Sequence, residues 1–307
     1  GVSGSDAGVG GAAGSGGAVD AGPCPNGVQG GDGTVAYPRW ATPTADTRAA
    51  SEFSTTANTA LDHATCLMWQ RNVDANLYTV DEGKTFCQNL VLDGLADWRL
   101  PTRAELISLT DFSAKTPAIE STVFPGTEGT AGSNASGRYW SSTDTAWDAT
   151  KNWVVTHGAI GQASFFPKID MSRVRCVRGK GAPTGPRFVT GAMGVVVDNE
   201  TGLWWEEAPP DADHDPTQAK AHCDALLLGG HDDWRLPSVR ELQLLVDPSI
   251  SSPALPALFT SYNGWFWTSS PVLGLPGQSW GVQLGTGYST PEGGGLVYTT
   301  PRVRCVR

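Results

Sequence analysis

Cysteine and histidine are the side chains of this sequence with the greatest chemical reactivity, and their spacing limits what they can do. None of the six cysteines forms a Cys-x-x-Cys pair, so the sequence does not predict a thiolate zinc site. Their even number and wide spacing favour three disulfides, for which fifteen pairings can be drawn. The five histidines accompany no Ser/His/Asp or Cys/His signature of a nucleophilic enzyme. We therefore expect a protein that is not an enzyme. The cysteines are Cys24, Cys66, Cys87, Cys176, Cys223 and Cys305.

A second chemical pattern consists of three alternating carboxylates. Asp211, Asp213 and Asp215 have the spacing of the first ligands in a calcium-binding loop. Such a loop has glycine at its sixth position and glutamate at its twelfth, where this chain has Pro216 and His222. Because of these two departures, the interpretation that we favour is a solvated acidic loop before a helix, with no cofactor. Ca²⁺ remains the one cofactor that the carboxylate spacing suggests.

Composition excludes two classes of partner. Lysine and arginine number 21 against 31 aspartate and glutamate, which gives a net charge of −10 in 307 residues. Such a surface repels phosphate backbones, so we expect no nucleic-acid partner. No run of apolar residues is long enough for a membrane span.

The chain begins with Gly1 rather than Met. Together with the disulfide pattern, this predicts a secreted or cell-surface protein whose signal peptide has been removed.

An internal repeat organises the chain. Segment 96–101, which contains Asp-Trp-Arg-Leu-Pro, recurs 136 residues later at 232–237. Leu67-Met-Trp and Cys87 recur at the same offset, and Arg-Val-Arg-Cys-Val-Arg at 173–178 recurs at 302–307. Because these motifs recur in the same order along the chain, they predict a tandem duplication. The predicted division is a Gly-rich arm at 1–23, a first domain with an N-terminal extension at 24–178, a linker at 179–185 and a second domain at 186–307.

The repeat also narrows the disulfide pairings. Each copy has one cysteine in its middle and one near its end, and a self-contained domain would join its own pair. This predicts the bonds Cys87–Cys176 and Cys223–Cys305. Cys24 and Cys66 have no equivalents in the second copy, so their bond would attach the N-terminal extension to the first domain. Loops of these lengths predict about 3–5 kcal/mol of stabilisation per bond.

The elements that must position these residues are two helices followed by short strands. Gly83, Cys87 and Leu90 fall on one helical stripe, so the cysteine faces the core. Trp-Arg-Leu-Pro then forms a turn, with Trp in the core and Asp and Arg as partners. Capping boxes at 102–105 and 238–241 begin the second helix of each copy. Short alternating runs such as 139–142 and 153–155 predict antiparallel strands. The fold class is α+β, with two helices and then a small sheet in each domain.

These motifs resemble the Lcl C-terminal domain family, a family of bacterial secreted domains. The resemblance rests on Thr65–Gln70, Cys87, Asp97–Leu106, Tyr139–Ser142 and Val174–Arg178, and on their second copies. Cys66 departs from the pattern, because the second copy has Gly202 there. The resemblance implies a C-type-lectin-like fold and roles in adhesion, glycan binding and surface assembly. The sugar-binding signatures Glu-Pro-Asn and Gln-Pro-Asp are absent, so calcium-dependent sugar binding does not follow.

Three tryptophans and the N-terminal arm are the candidates for binding. Trp147, Trp204 and Trp265 have no aromatic equivalent in the other copy, which makes them candidates for ligand or interface contacts. Residues 1–22 contain only small residues and aspartate and form either a flexible spacer or an arm that docks on another subunit. We expect a structural or adhesive protein that associates with itself into an oligomer or filament. A secreted glycan-binding module is one alternative, and an enzyme like the formylglycine-generating enzymes is another.

Overall fold

The structure is a computed structural model, and it describes residues 46–114, 116–127, 137–179, 186–199, 201–252, 254–260, 262–291 and 301–307. In this part of the chain, no helix combines the length and the apolar character needed to cross a bilayer. The α+β class is confirmed, because each copy contains two helices and short antiparallel strands.

The first copy opens with a short 3₁₀ helix at Ala50–Glu52. Its other elements are β1 (Phe53–Thr55), β2 (Thr59–Asp62), β3 (Met68–Gln70), α1 (Val80–Asn89), α2 (Arg103–Leu109), β4 (Tyr139–Asp144), β5 (Lys151–Val155), β6 (Ala163–Pro167) and β7 (Val177–Arg178). The second copy contains β8 (Phe188–Thr190), β9 (Val195–Asp198), β10 (Trp204–Glu206), α3 (Pro216–Asp224), α4 (Val239–Leu245), β11 (Trp265–Pro271), β12 (Ser279–Gln283) and β13 (Ser289–Pro291).

Each copy has two small sheets, where the sequence predicted one. In the first copy the strand orders are β1-β2-β3-β7 and β4-β5-β6, and in the second they are β8-β9-β10 and β11-β12-β13. The strands that precede the helices were missed because they are only three or four residues long, which is too short for an alternating pattern to stand out. In the first copy, the last strand pairs with β3, so the two ends of the domain meet in one sheet.

The predicted capping boxes are confirmed at the start of α2 and α4. Thr102 and Ser238 accept hydrogen bonds from the backbone of Glu105 and Glu241, and those glutamates bond back to the cap. Helix α3 begins at Pro216 after the N-cap Asp215, as its Asp-Pro sequence predicts. These caps satisfy amide groups that the first turn of a helix leaves without partners.

The Asp-Trp-Arg-Leu-Pro turn is a structural element in the first copy. Trp98 is buried, and its Nε1 donates to the carbonyl of Leu95 at 2.9 Å. The neighbouring Arg99 donates to both carboxylate oxygens of Glu105. Asp97 accepts two hydrogen bonds from Arg178, at 2.6 and 3.0 Å. This last pair fastens the turn to the final strand of the domain and holds the pKa of the Asp97 carboxyl below its usual range.

The two copies share one buried core. Helix α2 packs against α4, and strand β6 lies beside β13. The ring of Phe112 in the first copy meets that of Trp280 in the second, edge to face, with centroids 5.5 Å apart. Across the β6–β13 contact, Gln162 donates to the hydroxyl of Tyr288 at 2.6 Å. Because the same helix and the same edge strand of each copy meet, the contact has approximate two-fold character.

Candidate functional site

Each copy has a disulfide that lies in a small buried hydrophobic cluster of that copy. Cys87–Cys176 and Cys223–Cys305 are bonded as predicted, and all four residues are fully buried. Each bond joins the first helix of its copy to the C-terminal segment. Cys66 is also disulfide-bonded, and Cys24, its predicted partner, lies outside the described residues. No cysteine in the described part of the chain has a free thiol.

In each Val-Arg-Cys-Val-Arg motif, the arginine directly before the disulfide-bonded cysteine is buried. Arg175 donates to the carbonyls of Gln70 and Arg71, both at 2.8 Å. Arg304, its equivalent, donates to the carbonyls of Glu206 and Glu207. Burial lowers the pKa of Arg304 to about 10, so the side chain remains charged at neutral pH. These arginines bind main-chain carbonyls at the end of β3 or β10 and directly after it. We assign them a structural role.

Trp147 belongs to an aromatic cluster at the edge of the second sheet of its domain. Its ring is half-buried and meets the rings of Trp153 and Phe165 edge to face, with centroids 5.7 and 5.1 Å apart. Lys151 lies over Phe165 at 5.6 Å. The cluster leaves part of Trp147 accessible to solvent.

Trp204 and Trp265 are also half-buried and lie in the second copy. Trp204 packs between the ring of His231, at 5.2 Å, and the guanidinium of Arg307, at 4.9 Å. The ring of Trp265 lies 6.0 Å from that of Tyr288. These ring and guanidinium partners of the three candidate tryptophans are all different residues, so these contacts do not join them into one site.

In the calcium-like pattern, Asp211 and Asp215 have different partners and Asp213 is exposed. Asp211 pairs with Arg302 at 2.5 Å. Asp215 caps helix α3 by accepting from the backbone of Gln218 at 2.8 Å. In the described part of the chain, the group of metal-binding side chains that converges is a different one, formed by Glu206, His222 and Cys305.

Three positions next to the disulfide differ in chemical character between the copies. The first copy has Gln70, Tyr78 and Phe86, and the second has Glu206, His214 and His222 at positions 136 residues later. In the first copy the two aromatic rings pack with centroids 5.0 Å apart, and Gln70 accepts from the Cys176 amide at 3.0 Å.

The second copy keeps this arrangement with new side chains. Glu206 Oε2 accepts from the Cys305 amide at 3.1 Å, and the rings of His214 and His222 lie 5.8 Å apart. His222 Nε2 lies 3.5 Å from the other carboxylate oxygen of Glu206. A neutral aromatic patch has thus become a cluster of two imidazoles and a carboxylate.

Each copy has a concave surface beside its first helix. In the first copy an open groove of 660 Å³ runs along α1, lined by Tyr78, Asp81, Glu82, Thr85, Phe86, Asn89, Leu90 and Val91. In the second copy a cavity of 350 Å³ lies between α3, the start of α4 and β11, and its lining residues include Ser238, Thr268, Ser269 and Ser279. Aromatic rings beside carboxylates, and hydroxyl-rich pockets, are surfaces on which small polar ligands can bind.

The fold and the disulfides define the class of protein. It is an α+β protein in which two tandem copies of one domain share a core, and each copy contains its own disulfide. The Lcl C-terminal domain model matches residues 58–178 and again 194–307. The chain therefore belongs to the Lcl C-terminal domain family, as its motifs indicated, and carries two tandem copies of the domain. No curated protein is significantly similar to the chain.

Sequence reasoning missed the cluster of Glu206, His214 and His222. None of the five histidines has a histidine as its equivalent in the other copy, so the repeat does not mark them as a conserved set. The signal lay in aligning every position at the repeat offset, which shows that a glutamine, a tyrosine and a phenylalanine are replaced together.

Proposed function

We propose that the protein is an extracellular, non-enzymatic structural or adhesive protein that associates with itself at the cell surface. The observation that carries this proposal is the contrast between scaffold and surface. The disulfide, the buried arginine and the Asp-Trp-Arg-Leu-Pro ion pairs occur in both copies, while half-buried aromatic positions such as Trp147 and Trp204 occur in one. A duplicated scaffold with divergent surfaces suits binding to several partners or sites.

Further features agree with this assignment. Buried disulfides are typical of proteins outside the cytoplasm. Each bond joins a helix to the C-terminal segment, and this supports the C-type-lectin-like fold that the family resemblance implies. Thiol catalysis is disfavoured because the described cysteines are oxidised. The arm at 1–22, which lies outside the described residues, is the segment that we assign to self-association.

Light scattering and electron microscopy of the full chain test this proposal. The full chain should form oligomers or filaments, and a variant without residues 1–22 should be monomeric. The deletion keeps Cys24, so the proposed Cys24–Cys66 bond is not disturbed. Equal particle size for both proteins would contradict a role of the arm in assembly.

A glycan-binding module is the second candidate, and the groove along α1 favours it. The packed rings of Tyr78 and Phe86, with Asp81 and Glu82 lining the same groove, combine an apolar ring surface with hydrogen-bond acceptors, as sugar sites do. A glycan array would show binding by the full chain and its loss in Y78A if the groove is the site. The variants W147A, W204A and W265A test the tryptophans in the same assay.

A further inference from the structure

We propose that the second copy binds one Zn²⁺-class transition-metal ion through Glu206, His214 and His222. The inference is independent of adhesion or self-association. It starts from three side chains spaced eight residues apart along the sequence, at positions 206, 214 and 222, that the fold places together beside a buried disulfide.

The scaffold at these positions is the same in both copies. The amide of His214 donates to the carbonyl of Pro301, and the indole of Trp267 donates to the carbonyl of His214 at 2.6 Å. In the first copy, Tyr78 makes the same two backbone contacts, to Ser172 and Trp140. The change from Gln, Tyr and Phe to Glu, His and His therefore alters chemistry without altering the backbone that presents it.

Two of the three ligand side chains, Glu206 and His222, already converge. One oxygen of Glu206 accepts from the Cys305 amide, which directs the other toward His222 Nε2 at 3.5 Å. That nitrogen is buried and makes no hydrogen bond. A ligating carboxylate held by a backbone amide is the outer-sphere arrangement that metal sites use.

His214 supplies the third nitrogen. Its Nδ1 lies 2.9 Å from the carbonyl of Ala212, and because a carbonyl only accepts, Nδ1 carries the proton and Nε2 keeps its lone pair. With Zn–N bonds of about 2.0–2.1 Å, two imidazoles on one ion have centroids roughly 5–6 Å apart. The rings of His214 and His222 are separated by 5.8 Å. In the structure, the ring nitrogens of His214 lie outside the group of ligand atoms that converge within 4.8 Å. Metal binding therefore requires the half-buried His214 side chain to turn about its torsions.

The competing third ligand is Cys305, whose sulfur lies within 4.8 Å of the Glu206 and His222 ligand atoms. That sulfur is bonded to Cys223, and a disulfide sulfur is not the thiolate that zinc binds. A set of two histidines and a glutamate leaves a fourth position open for water or for a group from a ligand.

Calorimetry with Zn²⁺ on the oxidised full chain tests the site. We expect one ion per chain, and E206Q, H214Y and H222F should each weaken binding by about a hundredfold or more, since even outer-sphere changes cost about 10–100-fold. Each variant carries the residue that the first copy has at the same position, so the fold should be retained, and circular dichroism checks this. H231L, which likewise introduces the residue of the first copy, is the matched histidine control and should bind as the wild type does.

Three outcomes would overturn the proposal. The first is that the oxidised wild type shows no stoichiometric binding. The second is that H214Y or H222F binds with wild-type affinity. The third is binding that occurs only after reduction, with thiolate-to-metal absorption when Co²⁺ replaces Zn²⁺, because the site would then be built on Cys305.

Discussion

Arg103 of the first copy donates to the main-chain carbonyl of Gln243 in the second copy at 3.0 Å, and also to its side-chain oxygen. A third hydrogen bond reaches the carbonyl of Gly287 at 2.8 Å. The guanidinium is 1% exposed, and burial lowers its pKa to about 9. Arg240 crosses in the opposite direction, to the carbonyl of Thr110 at 2.6 Å. These contacts make the boundary between the copies part of the folded core.

The first prediction concerns this boundary. R103A should lower the free energy of unfolding by at least about 3 kcal/mol, because it removes charge-assisted hydrogen bonds and leaves buried carbonyls without donors. Denaturant unfolding followed by tryptophan fluorescence measures the loss. The wild type should unfold in one transition. K84A, which changes an exposed cation on α1, is the control and should unfold as the wild type does. Two separate unfolding transitions in the wild type would show that the copies are independent.

The second prediction separates capping from ion pairing. Glu105 both caps α2 and binds Arg99 in a bidentate pair, and its side chain is 3% exposed. E105A should therefore cost about 3–5 kcal/mol of unfolding free energy, since it leaves a partly buried arginine without its partner. Glu82 closes the same capping box on α1 at an exposed site. E82A should cost clearly less, and equal losses in denaturant titrations would mean that the Arg99 pair contributes nothing.

The third prediction concerns acid sensitivity. His157 is fully buried, and desolvation, together with the nearby charge of Arg175, lowers its pKa to about 3. The unfolded chain takes up a proton near pH 6.5 while the folded chain does not. Stability from this group is therefore complete above pH 6.5 and falls as the pH drops toward 3, by up to about 1.4 kcal/mol per pH unit.

The variant H157L isolates this contribution. Leu284 is the buried equivalent in the second copy, so leucine suits the position. Thermal melts between pH 8 and pH 4 should show a shallower loss of stability for H157L than for the wild type. Parallel curves would show that another group controls the acid response.

The fourth prediction compares the two disulfides. They close loops with sequence separations of 89 and 82 residues. In the chain-entropy model each should contribute about 4–5 kcal/mol. The double variants C87A/C176A and C223A/C305A should then lose similar amounts of stability, measured by denaturant unfolding under oxidising conditions. A large difference between them would indicate that the denatured chain, or strain in one copy, dominates the effect.

Much of the scaffold could be predicted from the sequence because the rules that determine it are local or repeated. A capping box needs only the residues at 102–105, and the duplication limited the pairing of Cys87 and Cys223. The first strands of each copy escaped prediction because they are too short for periodicity. The partner of Asp97 escaped prediction because Arg178 lies 81 residues away and only the fold brings it to the turn.

By itself, the sequence determined the family, the duplication, the starts of α2, α3 and α4 and the two disulfides, since each depends on residue type at short spacing or on repetition. Only the tertiary structure decided how the copies meet. Arg103 and Arg240 are not at equivalent positions in the repeat, and their partners lie more than a hundred residues away. It also decided which surfaces have potential chemistry: Glu206, His214 and His222 become a cluster because a strand, a loop and a helix converge on one disulfide.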